Sequence, residues 1–198
     1  MTLRQKLMKR TLDITLSLIG LMLTWWIILI AFLIAAIETK SNGFFTQKRV
    51  GLHGRLFTLI KIKTMRTLDN HTTTITTSYD PRITKSGAFF RRTKIDELPQ
   101  LFNVLLGSMS LVGPRPDVSG YADSLQGDDK CILTLRPGIT GPATLKYKNE
   151  ESLLTHQENP HHYNDTVIWP DKVRINVNYL HNWTLWGDIV YLWRTIIS

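Results

Sequence analysis

Cysteine is nearly absent. Cys131 is the only one in 198 residues, so no intrachain disulfide can form and a reducing compartment is the simplest setting. No base neighbours Cys131 in sequence, which leaves packing as its role. Acids are scarce beside bases, 16 Asp and Glu against 24 Lys and Arg, and the formal net charge of +8 favours an anionic partner. Nucleic acid, an acidic membrane surface and a phosphorylated metabolite all satisfy that demand. A run of stacking aromatics among the basic residues is missing, which argues against nucleic acid. Metal-ligand spacing is missing as well: His161 and His162 in "NPHHYND" have no Cys or Glu at ligand distance, so a solvated loop is expected there and not a zinc site. The length suits one domain with a proper core.

Charge is absent altogether from Ile14 to Ile37, "ITLSLIGLMLTWWIILIAFLIAAI". At about 1.5 Å per residue this run is long enough to cross a hydrocarbon layer of about 30 Å. A small-residue cleavage site does not follow Ile37, so the segment is expected to stay on the protein. Arg4, Lys6, Lys9 and Arg10 precede it, and Lys40, Lys48 and Arg49 follow, so both ends read as cytoplasmic by the positive-inside rule. A helix that enters one leaflet and turns back satisfies both flanks; an ordinary single span is the other reading. Asp13, one turn after Lys9 and Arg10, is placed to pair with them at the interface. At the far end "YLHNWTLWGDIVYLWRTIIS" sets Trp183, Trp186, Tyr191 and Trp193 among Leu and Ile with Arg194 nearby. This pattern suits an amphipathic interfacial helix, or a core helix with its tryptophans turned inward.

Between them, "GFFTQKRVGLHGRLFTLIKIKTMR" reads as a β-hairpin turning at Gly51 and Gly54. The Thr-rich stretch from Thr72 to Ser78, preceded by Asp69, Asn70 and His71, reads as a mobile loop. "DPRITKSG", Asp80 to Gly87, reads as a turn. In "KIDELPQLFNVLLGSMSLVGPRP", Leu98, Leu101, Phe102 and Leu105 mark one face of a helix ending near Gly107, and Pro99 is tolerated in its first turn. Asp96 then falls at the cap position or just inside it, with Glu97 next. Acids at a helix start are ordinary caps. They also sit where free N–H groups hold carboxylates ionised and welcome phosphate oxygens. Arg91, Arg92, Arg115, Lys61 and Lys63 are the cations available to converge on the pair. Consecutive helical residues diverge by about 100°, so the two carboxylates suit divided labour and not a shared proton. One can attack phosphorus while the other holds a divalent ion, with arginines gripping the remaining oxygens.

"KRTLD", "FTQKRVG", "FTLIKIKTM", "DPRIT", "RRTKIDELPQLFNVLLGSMSLVGPRP" and "LRPGITG", in that order from Lys9 to about Tyr191, closely resemble the small monotopic phosphoglycosyl transferases, also called bacterial sugar transferases. The resemblance implies an enzyme of the bacterial inner membrane, working at its cytoplasmic face. It moves a sugar 1-phosphate from a UDP-sugar to a polyprenyl (undecaprenyl) phosphate, releases UMP and starts a membrane-associated glycan. It implies Asp96 as the nucleophile of a covalent phosphosugar intermediate, Glu97 as the ligand of Mg2+, phosphate-binding roles for Lys61, Arg91 and Arg115, and a re-entrant N-terminal helix. The chain departs from the family pattern in three places. Trp25-Trp26 stands where a Ser-Pro pair often breaks the membrane helix; "GPATLKYKNEE" brings Pro142, Thr144 and Lys148 into a loop that is often Trp-Ala-Gln followed by Gly-Arg; and Asn176 stands for a frequent Asp.

The expected architecture is mixed α/β: a membrane helix over residues 1–40, re-entrant or spanning, and one compact catalytic domain over residues 41–198 closed by amphipathic interfacial helices. An inactive membrane scaffold of the same fold would have lost Asp96 or Glu97, and both are present. A nucleotide-sugar hydrolase would differ only in using water in place of the lipid phosphate.

Overall fold

The computed structural model describes residues 1–66 and 80–197, so the Thr-rich stretch from Thr72 to Ser78 lies outside the described residues. Helix α1 runs unbroken over 37 residues, Leu3–Thr39. A capping box between Thr2 and Gln5 starts it and a left-handed Lys40 ends it. Its buried residues are Lys9, Asp13, Ser17, Leu21, Ile28, Ala31 and Ala35. Their intervals of three, four and seven put them on a single stripe. That stripe lies against the rest of the protein from end to end.

At the N-terminal end Lys9 Nζ is 2.6 Å from Asp188 Oδ2, and Asp188 also accepts from the Tyr179 hydroxyl at 2.6 Å and the Trp183 indole at 3.0 Å. Asp13 accepts from Ser110 Oγ and the Leu111 amide, and Arg10 donates to the carbonyls of Val104 and Leu105 at 2.6 and 2.8 Å. The expected interfacial pairing of Asp13 with Lys9 and Arg10 is therefore corrected: Asp13 hydrogen-bonds to neither, because all three point inward to partners distant in sequence. At the C-terminal end the Glu38 carboxylate accepts from Ser86 Oγ and the Glu38 carbonyl from Arg66 Nε.

Strands β1 (Phe44–Val50) and β2 (Leu56–Ile62) form the antiparallel hairpin, in register from Phe44 opposite Ile62 to Val50 opposite Leu56. The "DPRITKSG" stretch turns only at its start. Thr84 caps helix α2 (Lys85–Thr93), and Gly87 lies inside that helix, where a Cβ would come 2.2 Å from the Thr64 carbonyl oxygen. Helix α3 (Gln100–Leu106) ends at a left-handed Gly107. Its buried Asn103 accepts from the Ile60 amide and donates to the Thr58 carbonyl, closing one edge of β2 as a further strand would.

A second, parallel pair joins β3 (Ser110–Val112) to β4 (Gly138–Thr140). Gly113, Gly138 and Gly141 let their ends meet: a Cβ on Gly141 would lie 2.3 Å from the Gly113 carbonyl oxygen. Short helices α4 (Pro142–Lys146), α5 (Glu150–Thr155) and α6 (Pro160–Tyr163) lead to α7 (Trp169–His181) and α8 (Leu185–Ile197). His161 and His162 are exposed on α6, a helical turn in place of the expected loop. The C-terminal segment divides its aromatic residues. Trp183 is buried and Tyr191 packs against the core of Leu59, Val104, Met109 and Leu111, while Trp186 and Trp193 are 71% and 62% exposed.

The Lys9–Asp188 pair is almost wholly buried, with side-chain exposures of 9% and 1%. Lys9→Met strands the Asp188 charge and is expected to destabilise the fold by about 3–5 kcal/mol. Lys9→Met/Asp188→Asn, which removes the charge but keeps an acceptor for the Tyr179 hydroxyl and the Trp183 indole, should recover most of that loss, both read by thermal unfolding in detergent. A double variant no more stable than the single one would show that the pair is not the source of the effect.

Candidate active site

Helix α2 closes at Lys94, which adopts a left-handed conformation (φ 59°, ψ 15°) uncommon for a residue with a side chain. Ile95–Glu97 then form one tight turn whose bonds run from the Glu97 amide to the Lys94 carbonyl and from the Leu98 amide to the Ile95 carbonyl. Pro99 occupies the cap of α3. Asp96 is thus not at the α3 cap, as the periodicity suggested. Proline has no N–H to continue an α-helical ladder back to Ile95, so the acids sit in a separate turn ahead of that helix.

The turn sends the two carboxylates to different surroundings. In β2, Phe57, Leu59 and Lys61 alternate onto one face; Leu59 enters the core, and Lys61 Nζ reaches Glu97 Oε1 at 2.8 Å. Arg115 Nη2 stands 3.8 Å from the same oxygen. Burial works against the Glu97 charge, but Lys61, Arg115 and Lys94 overcome it and hold this carboxyl down at about 2. Asp96 is 8% exposed, and its Oδ1 is buried without a hydrogen-bond partner. Burial pushes its carboxyl up to about 6, and the neighbouring Glu97 charge adds to this against the pull of Lys61, Lys94 and Arg91. One acid is held firmly ionised; the other is poised to change charge near neutrality.

Arg115 projects from a braced turn. The Gly113 amide bonds the Thr140 carbonyl and the Gly138 amide the Pro114 carbonyl; on the other side Arg49 donates to the Pro116 carbonyl at 3.2 Å and the Val50 amide to the Asp117 carbonyl at 2.9 Å. Asp117 was not singled out by the sequence. Burial raises its carboxyl to about 6 although Lys172, Arg115 and Arg49 pull it down. Its only signal was its place directly after "GPRP". Lys94 was missed too, although it directly precedes "IDE" in the sequence.

Lys61, Arg91, Asp96, Glu97 and Arg115 therefore come together electrostatically, with Lys94 added. Lys63 and Arg92 do not join them. Lys63 lies beyond the end of β2 and donates to Ser41 Oγ, and Arg92, one residue round α2 from Arg91, lies over the Phe89 ring. No group of three or more His, Cys, Asp or Glu side chains that could hold a metal occurs among the described residues. A cation such as Mg2+ fits by another route, in which one or two carboxylates hold it and substrate phosphate supplies the remaining oxygens. The unpartnered Asp96 Oδ1 and the ionised Glu97 are such carboxylates.

The family model for bacterial sugar transferases matches residues 4–198, the whole of this site included. The chain belongs to that family. Among similar curated proteins, a "UDP-glucose:undecaprenyl-phosphate glucose-1-phosphate transferase" of Xanthomonas campestris is 36% identical over 89% of this chain and 35% of its own length. An "undecaprenyl-phosphate galactose phosphotransferase" of Salmonella typhimurium is 33% identical over 96% of this chain and 40% of its own. The "uncharacterized sugar transferase EpsL" of Bacillus subtilis is 34% identical over 96% of this chain and 86% of its own. This sugar transferase chain thus spans about two fifths or less of the length of the two relatives named for their substrates, and most of the third.

The Asp96 carboxyl carries a sign that stability measurements can read. A folded-state value near 6, above the ordinary aspartate value of 3.8, favours the fold while the group is protonated. That contribution is complete below the unfolded value and lost as pH rises through about 6. Asp96→Asn is neutral at every pH. It is expected to raise the unfolding temperature at pH 7.5 and to lose that advantage below pH of about 4. An equal effect at both pH values would contradict a buried, uncompensated Asp96.

Proposed function

We propose that this sugar transferase moves a sugar 1-phosphate from a UDP-sugar to a polyprenyl phosphate and releases UMP, working at the cytoplasmic face of a bacterial inner membrane. The observation that carries the proposal is the pairing of a buried, hydrogen-bond-free Asp96 oxygen with an ionised Glu97 inside a ring of Lys61, Arg91, Lys94 and Arg115. A carboxylate with no hydrogen bond to break is the more reactive nucleophile. The surrounding cations offset the charge of an incoming diphosphate, which would otherwise repel it.

In the first step an Asp96 carboxylate oxygen bonds to the β-phosphorus, the bond from that phosphorus to the bridging oxygen breaks, and the electron pair leaves with UMP. In the second, an oxygen of the lipid phosphate attacks the same phosphorus and frees Asp96, giving a polyprenyl diphosphosugar. Mg2+, held by Glu97 with Asp96 beside it, would supply charge neutralisation for the diphosphate. Arg115, 47% exposed on its braced turn, is free to close on the substrate. Lys61 keeps Glu97 ionised throughout. The names of the Xanthomonas and Salmonella relatives specify transfer of this kind to undecaprenyl phosphate and support the choice of acceptor.

The test is UMP release by the detergent-solubilised chain given a panel of UDP-sugars with Mg2+, with and without undecaprenyl phosphate. Lipid-dependent UMP formation is expected, with a chelator abolishing it, Asp96→Asn reducing it to background and Arg115→Ala lowering kcat/KM by about a hundredfold. Sustained UMP release, beyond one equivalent per chain, that ignores the lipid would mean hydrolysis. Full activity in Asp96→Asn would remove the nucleophile from the proposal.

A further inference from the structure

Arg115 and Asp117 bracket Pro116 in a run with no helix or strand of its own. A residue ahead of a proline is held near extended geometry, and in an extended run side chains two apart face the same way. Pro116 is buried, Arg115 exposed and Asp117 half-buried, in keeping with that alternation. Both side chains line a small cleft whose walls include Val50, Pro114, Leu133 and Leu135. Its space of about 20 Å3 is room for one water molecule or one hydroxyl group.

The cations around Asp117 are all engaged elsewhere. Lys172 donates to both oxygens of Glu150 at 2.7 Å, Arg49 donates to the Pro116 carbonyl and to Gln47, and Arg115 stands 3.8 Å from Glu97 Oε1. These three act on Asp117 through space alone, and its carboxylate forms no hydrogen bond or ion pair among the described residues. The main chain is satisfied separately, since the Asp117 carbonyl accepts from the Val50 amide at 2.9 Å. An acid so placed costs the fold its desolvation without gaining an interaction in exchange, and the rise of its carboxyl to about 6 is the sign of that cost. An uncompensated acceptor beside a substrate-facing arginine is the pattern of a group kept for a ligand.

We propose that Asp117 is a substrate-contact residue, which accepts hydrogen bonds from hydroxyl groups of the nucleotide-sugar donor while Arg115, on the same face, takes a phosphate oxygen. The carboxylate repels phosphate oxygens and has only acceptors to offer, so its complement is an O–H donor close to the diphosphate. A UDP-sugar carries such hydroxyls on its ribose and on its sugar, and a carboxylate reading a ribose hydroxyl beside a phosphate site is a recurrent solution in nucleotide binding. A donor lacking the hydroxyl would leave the acid unpaired in a water-poor cleft, which makes Asp117 a means of selecting between donors. This inference rests on the proposed donor chemistry and adds to it a residue outside the acid pair and its ring of cations.

The experiment uses the full detergent-solubilised chain with Mg2+ at about pH 7.5, where the Asp117 carboxyl is ionised. An Asp96→Asn background leaves the donor uncleaved. Calorimetry reads dissociation constants for UDP-glucose, UDP-galactose, UDP-N-acetylglucosamine, UDP and pyrophosphate. Asp117→Ala is expected to weaken the tightest-binding UDP-sugar roughly ten- to a hundredfold and to leave pyrophosphate unchanged or tighter, because it removes a hydroxyl acceptor and a negative charge together. Asp117→Asn keeps the shape and one acceptor oxygen, and is expected to recover part of the loss. A loss shared equally by UDP places the hydroxyl on the ribose and must then vanish with 2′,3′-dideoxy-UDP; a loss with the UDP-sugar alone places it on the transferred sugar. Equal weakening of pyrophosphate would mean that Asp117 only aims Arg115 or holds the cation, and would overturn the proposal. Unchanged or tighter UDP-sugar binding in Asp117→Ala would overturn it too, as would a loss that persists with the dideoxy nucleotide. Failure of both the wild type and the background to bind any UDP-sugar would remove the donor reading itself, and this inference with it.

Discussion

Lys61 Nζ sits 2.8 Å from Glu97 Oε1 where little water reaches either group, with side-chain exposures of 20% and 12%. The rest of the site is organised around that contact. Lys61 can be there only because β2 is held in register by β1 and its edge is closed by Asn103 from α3, the helix that follows Glu97 directly. The same side chain thus fixes the distance between the strand that supplies the cation and the turn that supplies the acids. With Glu97 ionised and occupied, the neighbouring Asp96 is left with a raised carboxyl and a buried oxygen that bonds to nothing. Two adjacent residues of nearly identical chemistry acquire opposite electrostatic characters, and the difference comes from which way a tight turn points them.

The apolar helix α1 belongs to this arrangement as closely as any core element. Arg10 satisfies the last carbonyls of α3, so the long apolar helix also holds the far end of the helix that follows the acid pair. Lys9 and Asp13 join it to α8 and β3, and the Gly113 turn that aims Arg115 begins directly after β3. An apolar outer face and a polar inner stripe on one helix tie the most apolar element of the protein to the position of its acids.

Much of this was legible in local pattern. The i, i+3, i+4, i+7 spacing of Leu98, Leu101, Phe102 and Leu105 gives α3; Gly51 and Gly54 give the hairpin; the adjacency of Asp96, Glu97 and a proline-bracketed Arg115 marks the site. What escaped were conformations and contacts that composition does not encode. Lys94 adopts a left-handed conformation with no glycine to announce it, and Pro99 splits the acids from α3 by removing one N–H. Lys9 and Asp188 pair across 179 positions of sequence. Lys63 and Arg92 looked equivalent to Lys61 and Arg91 until the end of a strand and the pitch of a helix turned them elsewhere. The exposed and buried tryptophans of the C-terminal segment likewise alternate by its packing, and their number alone supported both a core and an interfacial helix.

The central claim is that the Asp96 oxygen, unpartnered and flanked by cations, forms a bond to phosphorus. Intact-protein mass spectrometry after incubation with a turned-over UDP-sugar and Mg2+, with no lipid acceptor present, tests it most directly. The account predicts one added sugar phosphate per chain, mapped by peptide analysis to Asp96, absent from Asp96→Asn and discharged when undecaprenyl phosphate is supplied. An adduct on another residue, or lipid-dependent UMP release by a chain that never carries an adduct even under rapid quenching, would contradict it.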